Sequence, residues 1–496
     1  MSTRKLVVWI TFMAVFAMAA RVSVDTDTWW HLRTGQIIVE DKMFPVTDPF
    51  SHTRAGESWQ GASVGWVMQV GLYLIFKALG FGGLNILQAV MVTLAFWFVY
   101  RTLSGGEFAK AFVIVLAATA SGVYWAARPY LMSFLLAAIT FWVLEDFRWR
   151  RKDRLWLLPF LMILWSNSHG GFAIGMMLWG LYGLHEGVQW LDRVRVEEKL
   201  IPPEISLKWL KKGMRGRAGR MLKIGALMIA GASVNREGLA IWLYPFQTVS
   251  IGVLQEFIQE WQSPNFHDLQ VQPFAWLLLI TLGTLGISKQ KLALTDFLLV
   301  AGFGYLSFLA ARNIAVFALV APAVLTRHME PVLGEMSQRL GFGNSAERNV
   351  PKTQIMLNWG IVVLLGLVVV VKVYSVLPEE ANREVFSQQV PVEAVAYLKD
   401  LQPSGLLLNS YNWGGYLIWE APKHPVFVDG RTDLYGDEII MQWYRIVSAD
   451  DGWQELLEQW DIELILLEPG WPLVKLLAAE GWKTLYQDDI AVIYAR

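Results

Sequence analysis

The chain has no cysteine, and only 17% of its 496 residues are charged. The first absence excludes disulfides, thiol catalysis and zinc–thiolate sites. The second lies well below the roughly 25% usual in soluble domains. Net charge at pH 7 is −1, so no global charge draws the chain towards nucleic acid or anionic substrates. Internal repeats and low-complexity tracts are missing as well. What is present is 54% hydrophobic residues and 25 Trp. Apolar runs of about 17–21 residues recur, each long enough to cross roughly 30 Å of hydrocarbon. This is the composition of a polytopic α-helical membrane protein.

Runs near residues 5–21, 83–101, 110–126, 129–147, 155–168, 171–190, 221–235, 273–287, 291–310, 313–327 and 355–373 make about eleven spans. The opening Met-Ser-Thr-Arg-Lys and the stretch ending Ala17-Met18-Ala19-Ala20 have the look of a signal peptide. The topology favours a retained first helix instead, with Arg4 and Lys5 holding the amino terminus in the cytoplasm. Basic residues then cluster at Arg148–Arg154, from Arg193 to Lys223, at Lys289 and Lys291, and from Arg327 to Lys352. Roughly 25 of the 42 Lys and Arg fall on that side, which fixes the orientation by the positive-inside bias. The stretch at 64–80 also has the length of a span, but counting it would put Arg148–Arg154 outside. It reads as an interfacial helix on the outer leaflet. An odd number of spans sends the carboxyl terminus to the periplasm or cell exterior, across an inner (plasma) membrane.

The transmembrane part is thus 1–373, with long external loops at 22–82 and 236–272. After residue 374 the composition changes. Helices are expected at Pro391–Asp400, Gln454–Trp460 and Pro472–Glu480. Strands are expected at Leu406–Leu408, Val426–Val428 and Ile462–Leu467, with two more at the end. Alternating strands and helices suggest a small external α/β domain over 374–496.

Just after the first span the chain reads Asp25-Thr26-Asp27-Thr28-Trp29-Trp30-His31-Leu32-Arg33. Indoles settle at membrane–water interfaces. Asp27 and His31 lie four apart, so a helix would place them on one face. Either acid can cap the following helix, or the pair can be a solvated loop. Capping needs one side chain, however, and this loop supplies two carboxylates, two Trp and a His. Carboxylates with stacking surfaces at an interface suit a sugar.

The acid pair after span one, and the interfacial helix before span two, resemble the GT-C superfamily of glycosyltransferases. More closely, the chain resembles a bacterial branch of it in six phrases: Asp25–Leu32, Arg128–Leu136, Asn167–Phe172, Glu260–Pro264, Arg312-Asn313 and Asp429–Gly436. One departure is Gly65, where an acid is expected before Trp66. The resemblance implies an inverting transfer at the external face. A carboxylate takes the proton of an acceptor hydroxyl, and a polyprenyl phosphate leaves. The acceptor would be a glycan, lipid or protein. The base maps best onto Asp27, with Asp25 second; near its ordinary pKa such an acid is a weak base unless burial raises it. Oligosaccharyltransferases of the superfamily bind a divalent cation through acids from two external loops. The transfer itself needs no metal. If a cation is used, Glu260 is placed to be the second-loop acid, and Asp25, Asp27 and Glu260 would be the ligands for Mg²⁺ or Mn²⁺. The plainer account of Glu260 is the exposed face of an external helix.

A leaving phosphate needs positive charge, and arginine beside a span is costly enough to have a task. Arg312 and Arg128, at the outer ends of span pairs, are the candidates, although either can snorkel to lipid. Trp30 and His31 offer ring surfaces. Asn167 and His169 form either a substrate contact or a polar corner at Gly170-Gly171. The Asp–Arg–Asp cluster in Asp429–Gly436, expected as strand, turn and loop, binds sugar or, more simply, locks that loop by ion pairs. Three function classes stand side by side: a polyprenyl-phosphate-sugar glycosyltransferase; a polymerase, ligase or oligosaccharyltransferase-like enzyme using a lipid pyrophosphate; and a non-catalytic scaffold or transporter. A transporter should carry polar or broken helices at mid-membrane. Here polar residues gather at the outer ends, which favours an interfacial enzyme.

Overall fold

A computed structural model describes residues 1–198, 216–340 and 351–496, with side chains described only to Arg193 in the first segment. Parts of the basic runs at 193–223 and 327–352 lie outside the described residues. All eleven apolar runs are helical. They form α1 (Thr3–Ala19), the second half of α3 (Gln60–Tyr100), α4 (Glu107–Ser121), α5 (Tyr130–Trp149), α6 (Leu157–Ser166), α7 (Phe172–Glu198), α8 (Arg217–Ala232), α9 (Gln272–Ile287), α10 (Leu294–Leu309), α11 (Ile314–Arg339) and α12 (Lys352–Val376), with α2 (Thr28–Gln36) in the first loop.

Five of the helical segments, Gln60–Tyr100, Glu107–Tyr124, Tyr130–Trp149, Ala311–Arg339 and Lys352–Val376, are long and apolar enough to cross a membrane. α6, α9 and α10 are apolar but shorter. α3 is two helices meeting at Gly80, whose φ of 62° and ψ of −161° interrupt the helical backbone. Glycine reaches that region without steric cost. The segment at 64–80 is therefore a helix distinct from the one that follows. It packs under α2 where Gly35 sits against the Gln69 carbonyl; a Cβ at Gly35 would lie 2.2 Å from that oxygen.

α11 is the axis of the bundle: every residue from Ile314 to Thr326 is buried. α12 is the opposite, with Asn358, Val362 and Val376 its buried residues. Its remaining apolar side chains are half-buried or exposed, as on a helix that faces lipid on one side.

At one end of the bundle, Arg327 bonds Glu145 at 2.5 Å and Asp296 at 2.6 Å, and the Tyr182 hydroxyl donates to Glu145 at 2.5 Å. Removing a buried cation strands its carboxylates. Arg327→Met is expected to destabilise the fold by roughly 3–5 kcal/mol. Adding Glu145→Gln and Asp296→Asn should recover much of that loss. An unchanged melting temperature for Arg327→Met in detergent would show that this cluster does not hold the bundle.

The tail carries a four-stranded sheet in the order β1-β2-β4-β3. β1 (Leu406–Asn409) runs parallel to β2 (Ile462–Leu467), and β4 (Val492–Ala495) is antiparallel to both β2 and β3 (Lys483–Gln487). Two expectations fail. Val426–Val428 is not a strand; only Val426 pairs, in a single parallel bridge to Ser51 of the first loop. Side chains do the ladder's work there. Asn409 Nδ2 donates to the Val428 carbonyl at 2.7 Å, Thr53 Oγ1 to the Phe427 carbonyl at 2.6 Å, and the Phe427 N–H donates to Asn409 Oδ1 at 2.7 Å. Nor is Asp429–Gly436 strand, turn and loop: from Thr432 it is a helix, Thr432–Val447, kinked at Gly436.

The sheet's apolar face and the first loop share one core. Trp29, Trp30, Phe50 and Trp59 pack with Trp413, Leu417, Leu464 and Leu466. Arg431 nails the two together. It bonds Asp429 at 2.7 Å and Asp48 of the first loop at 2.5 Å, with all three side chains fully buried.

Candidate active site

The chain leaves α1 at Ala19, crosses to Asp25, and enters α2 after Asp27. Asp27 occupies the capping position, yet its side chain makes no capping bond. Oδ1 instead accepts from Trp30 Nε1 at 3.1 Å, and Oδ2 faces Arg128 Nη1 at 3.2 Å. Asp25 folds back, accepting the Asp27 backbone N–H on Oδ1 at 2.9 Å, and its Oδ2 lies 3.3 Å from the same Arg128 nitrogen. The capping account of the acids is thereby replaced by one in which both face a guanidinium.

Arg128 comes from the short link between α4 and α5. Its Nη2 reaches Glu260 Oε2 at 2.5 Å. Glu260 sits on the single turn Gln259–Trp261 of the second long loop. Its other oxygen lies 3.4 Å from Arg312 Nη1. Arg312 is held in the turn between α10 and α11, its guanidinium 4.3 Å from the Trp261 ring centre and 5.5 Å from that of Tyr130. The Tyr130 hydroxyl donates to the Arg312 carbonyl at 3.1 Å. Five of the residues singled out in the sequence thus converge, from four separate segments. Arg128 does not snorkel: its side chain is 15% exposed and surrounded by carboxylates.

Burial raises Asp27 to about 7, the Asp25 charge adds to this, and Arg128 and the Trp30 N–H oppose it. Burial also raises Asp25, against the pull of Arg128. Glu260 goes the other way. Burial would raise it, but Arg128 and Arg312 together hold it at about 2. The two acids are thus set apart by their surroundings: Glu260 is held ionised, and Asp27 is raised towards neutrality.

His169 lies against Tyr130, with ring centres 5.7 Å apart. Its Nδ1 meets the Ser133 hydroxyl at 2.7 Å and the Gly171 N–H at 3.0 Å. Ser133 accepts from Trp165 Nε1 at 2.6 Å, which leaves its own proton for His169. Nδ1 is therefore an acceptor and Nε2 carries the proton. Burial, then Arg312 and Arg128, lower His169 to about 3, so it is a neutral donor. Trp30 belongs to the site through its bond to Asp27. His31 is turned to Gln69, whose Nε2 lies 3.2 Å from Nδ1, and burial keeps it neutral. Asn167 is not at the cluster. It accepts from Trp66 Nε1 at 2.9 Å and donates to the Val234 carbonyl at 2.8 Å, joining α3, α6 and the loop after α8. At Gly65, where an acid was expected, a Cβ would lie 3.0 Å from Gln69 Nε2, a contact that the end of the glutamine side chain can relieve.

The largest omission from the sequence reading is the tail's own contribution. A Cβ on Gly430 would lie 1.8 Å from Asp27 Oδ1, and one on Gly415 would lie 2.2 Å from the Thr26 carbonyl. The acid segment is thus clamped from above by two glycines of the tail. The phrases Trp413-Gly414-Gly415 and Asp429-Gly430-Arg431 carried that signal as small residues beside polar ones, but nothing in the sequence paired them with Asp27.

No protein-family model matches the sequence, and no curated protein matches it. Solved structures do. The archaeal oligosaccharyltransferase AglB from Archaeoglobus fulgidus, in complex with an inhibitory peptide and a dolichol-phosphate, superposes with a TM-score of 0.52 at 11% identity, over 93% of this chain and 69% of that one. The Archaeoglobus fulgidus oligosaccharyltransferase in its apo form gives 0.51 at 9% identity, over 92% and 69%. The chain shares its fold with these structures. Identity this low carries the architecture and not the substrate.

The sequence resemblance raised Mg²⁺ or Mn²⁺ between the loop acids as a possibility, and the arrangement of the side chains offers no such ion a seat. Oxygen ligands approach such ions to roughly 2.0–2.2 Å. Asp25 Oδ2, Asp27 Oδ2 and Glu260 Oε2 instead gather around the two Nη nitrogens of Arg128.

Proposed function

We propose that this protein is an integral membrane glycosyltransferase. It moves a sugar from a polyprenyl-phosphate donor to a hydroxyl acceptor, with inversion, at the non-cytoplasmic face of the membrane. One observation carries the reading: a buried carboxylate raised to about 7, Asp27, stands in one ion-pair network with Arg312. Among the described residues Arg312 has no carboxylate partner but Glu260. In the reaction, the acceptor oxygen attacks the anomeric carbon and passes its proton to Asp27. The bond from that carbon to the phosphate oxygen breaks, and the lipid phosphate departs with the electron pair. Arg312 meets the developing phosphate charge with two-pronged hydrogen bonds, and His169 Nε2 offers a neutral donor beside it. A pKa near 7 matches a general base to neutral pH.

Packing and charge together support this sidedness. The Arg431–Asp48 bond and the Ser51–Val426 bridge put the first loop and the tail 374–496 on one side. Arg150 and Arg154 pair with Asp146, and Arg217 with Glu186, at the other end. The positive-inside bias makes that basic end cytoplasmic. On the eleven spans expected from the sequence, the acids and the tail would then face the periplasm or cell exterior. The superposition on AglB, which holds a dolichol-phosphate and a peptide, favours as a second reading an oligosaccharyltransferase-like transfer from a lipid pyrophosphate.

Arg312→Ala is expected to weaken binding of a polyprenyl phosphate by about tenfold or more, the equivalent of one charge-assisted bond, while the protein still expresses and folds. Arg312→Lys should restore only part, because a point charge replaces a planar fork. The measurement is titration of the purified protein with undecaprenyl phosphate in nanodiscs. Equal affinity in all three proteins would return Arg312 to a structural role beneath Trp261.

A further inference from the structure

The guanidinium of Arg128 stands at the one point where acids from two separate loops meet. Asp25 and Asp27 approach Nη1 at 3.3 and 3.2 Å, and Glu260 approaches Nη2 at 2.5 Å. The four side chains are between 14% and 24% exposed. Three carboxylates this close cannot stay together unneutralised in so dry a place. Something positive has to hold them, and a divalent ion and a guanidinium are the two chemical solutions.

Here the backbone decides between them. Arg128 is followed by Pro129, which opens α5, and its own N–H bonds the Ala126 carbonyl at 2.8 Å. The side chain therefore starts from a fixed turn beside the acids and has no long tether to swing on. Its guanidinium carbon lies over the Tyr130 ring, 5.8 Å from the ring centre. The remaining polar atom, Nε, is buried without a partner among the described residues. That orphan is a donor. It would be left unsatisfied by a cation and satisfied by a substrate oxygen.

We propose that Arg128 is the resident cation of this site: a covalently tethered substitute for a divalent metal, which assembles Asp25, Asp27 and Glu260 and makes the protein indifferent to Mg²⁺ and Mn²⁺. It is a positioning residue. It sets the distance between the base and the second-loop acid, and through Glu260 the seat of Arg312. A tethered cation does not dissociate, so the two loops stay joined when no substrate is bound. The inference rests on the active-site assignment above for its meaning, but its test does not use glycosyl transfer, so the two can fail separately.

The test is Mn²⁺ binding, read as loss of the free-ion electron paramagnetic resonance signal, together with melting temperature in detergent with Mn²⁺ or with EDTA. Wild-type protein should leave the Mn²⁺ signal unchanged and melt at the same temperature in both. Arg128→Ala empties the centre and leaves three facing carboxylates. It should melt lower in EDTA, bind Mn²⁺ and regain stability with it. Adding Glu260→Gln to Arg128→Ala should abolish that binding. Arg128→Lys, which keeps the charge and is the variant more certain to fold, should still take up no Mn²⁺. Stoichiometric Mn²⁺ binding by wild-type protein, or a wild-type melting temperature that falls in EDTA, overturns the proposal. So does a folded Arg128→Ala protein that binds no Mn²⁺.

Discussion

Asp27→Asn is expected to slow glycosyl transfer by about 10²–10⁴, the usual cost of losing a positioned general base. The amide keeps the shape and can still accept from Trp30 Nε1. Binding of the lipid phosphate should be nearly unchanged, because in this scheme the carboxylate meets the acceptor hydroxyl and not the phosphate. The wild-type pH profile should carry the same group. Burial and the neighbouring Asp25 charge raise Asp27 to about 7. A base works only when deprotonated, so kcat/KM should rise tenfold per pH unit below that point and level off above it. Asp25→Asn removes the like charge. It should move the inflection to lower pH and leave the plateau within about tenfold, since the base itself is intact. If Asp25→Asn is inactive and Asp27→Asn near normal, the base is two residues upstream. Full activity in both variants would favour a non-catalytic scaffold.

Hydrophobic periodicity and length made the helices legible, and charge bias ordered them, because these signals are local or depend on composition alone. Asp25, Asp27, Arg128 and Arg312 were legible for a related reason, and Glu260 through the resemblance of its loop. Charge at the edge of an apolar run is costly and stands out. What the residues do to one another was not legible. Arg128 read as a phosphate ligand because it stands at the outer end of a span pair, where an arginine is costly. The acids that claim it lie about a hundred residues before it and more than a hundred after. Val426–Val428 read as a strand because it is apolar and β-branched. It is buried for that reason, but Asn409 and Thr53 satisfy its backbone in place of a neighbouring strand. Asn167 read as a site residue through its nearness to His169, and it points instead to Trp66 and Val234. A sequence gives the cost of a polar group before it gives the partner that meets the cost.

The tail's hold on Asp27 makes Arg431 the remote position with the largest expected effect. Its guanidinium is fully buried. Nε donates to Asp429 Oδ1 at 2.8 Å, Nη1 to Asp48 at 2.5 Å, and Nη2 to Asp429 Oδ2 at 2.7 Å and to the Tyr435 hydroxyl at 3.1 Å. Phe50 and Trp59 cover its faces, with centres 5.0 and 4.8 Å away. Arg431→Met fills most of the volume but leaves Asp48 and Asp429 buried and unpaired. The loss is expected to be roughly 3–5 kcal/mol, and it falls on the joint between the first loop and the tail. Gly430, next in the chain, is the residue pressed against Asp27 Oδ1. Loosening that joint should let the acid drift, and a displacement of about 1 Å can cost about 10²-fold in rate. Arg431→Met should therefore expose the tail to limited proteolysis, lower the melting temperature and slow transfer together. Arg431→Lys should recover little, since one ammonium cannot reach both acids in the geometry of the fork. Arg431→Met with Asp48→Asn and Asp429→Asn removes the stranded charges and should restore protease resistance ahead of rate. A protease-resistant Arg431→Met protein with an unchanged melting temperature would mean that the aromatic core alone docks the tail, and that the buried ion pairs do not hold Gly430 over the acid.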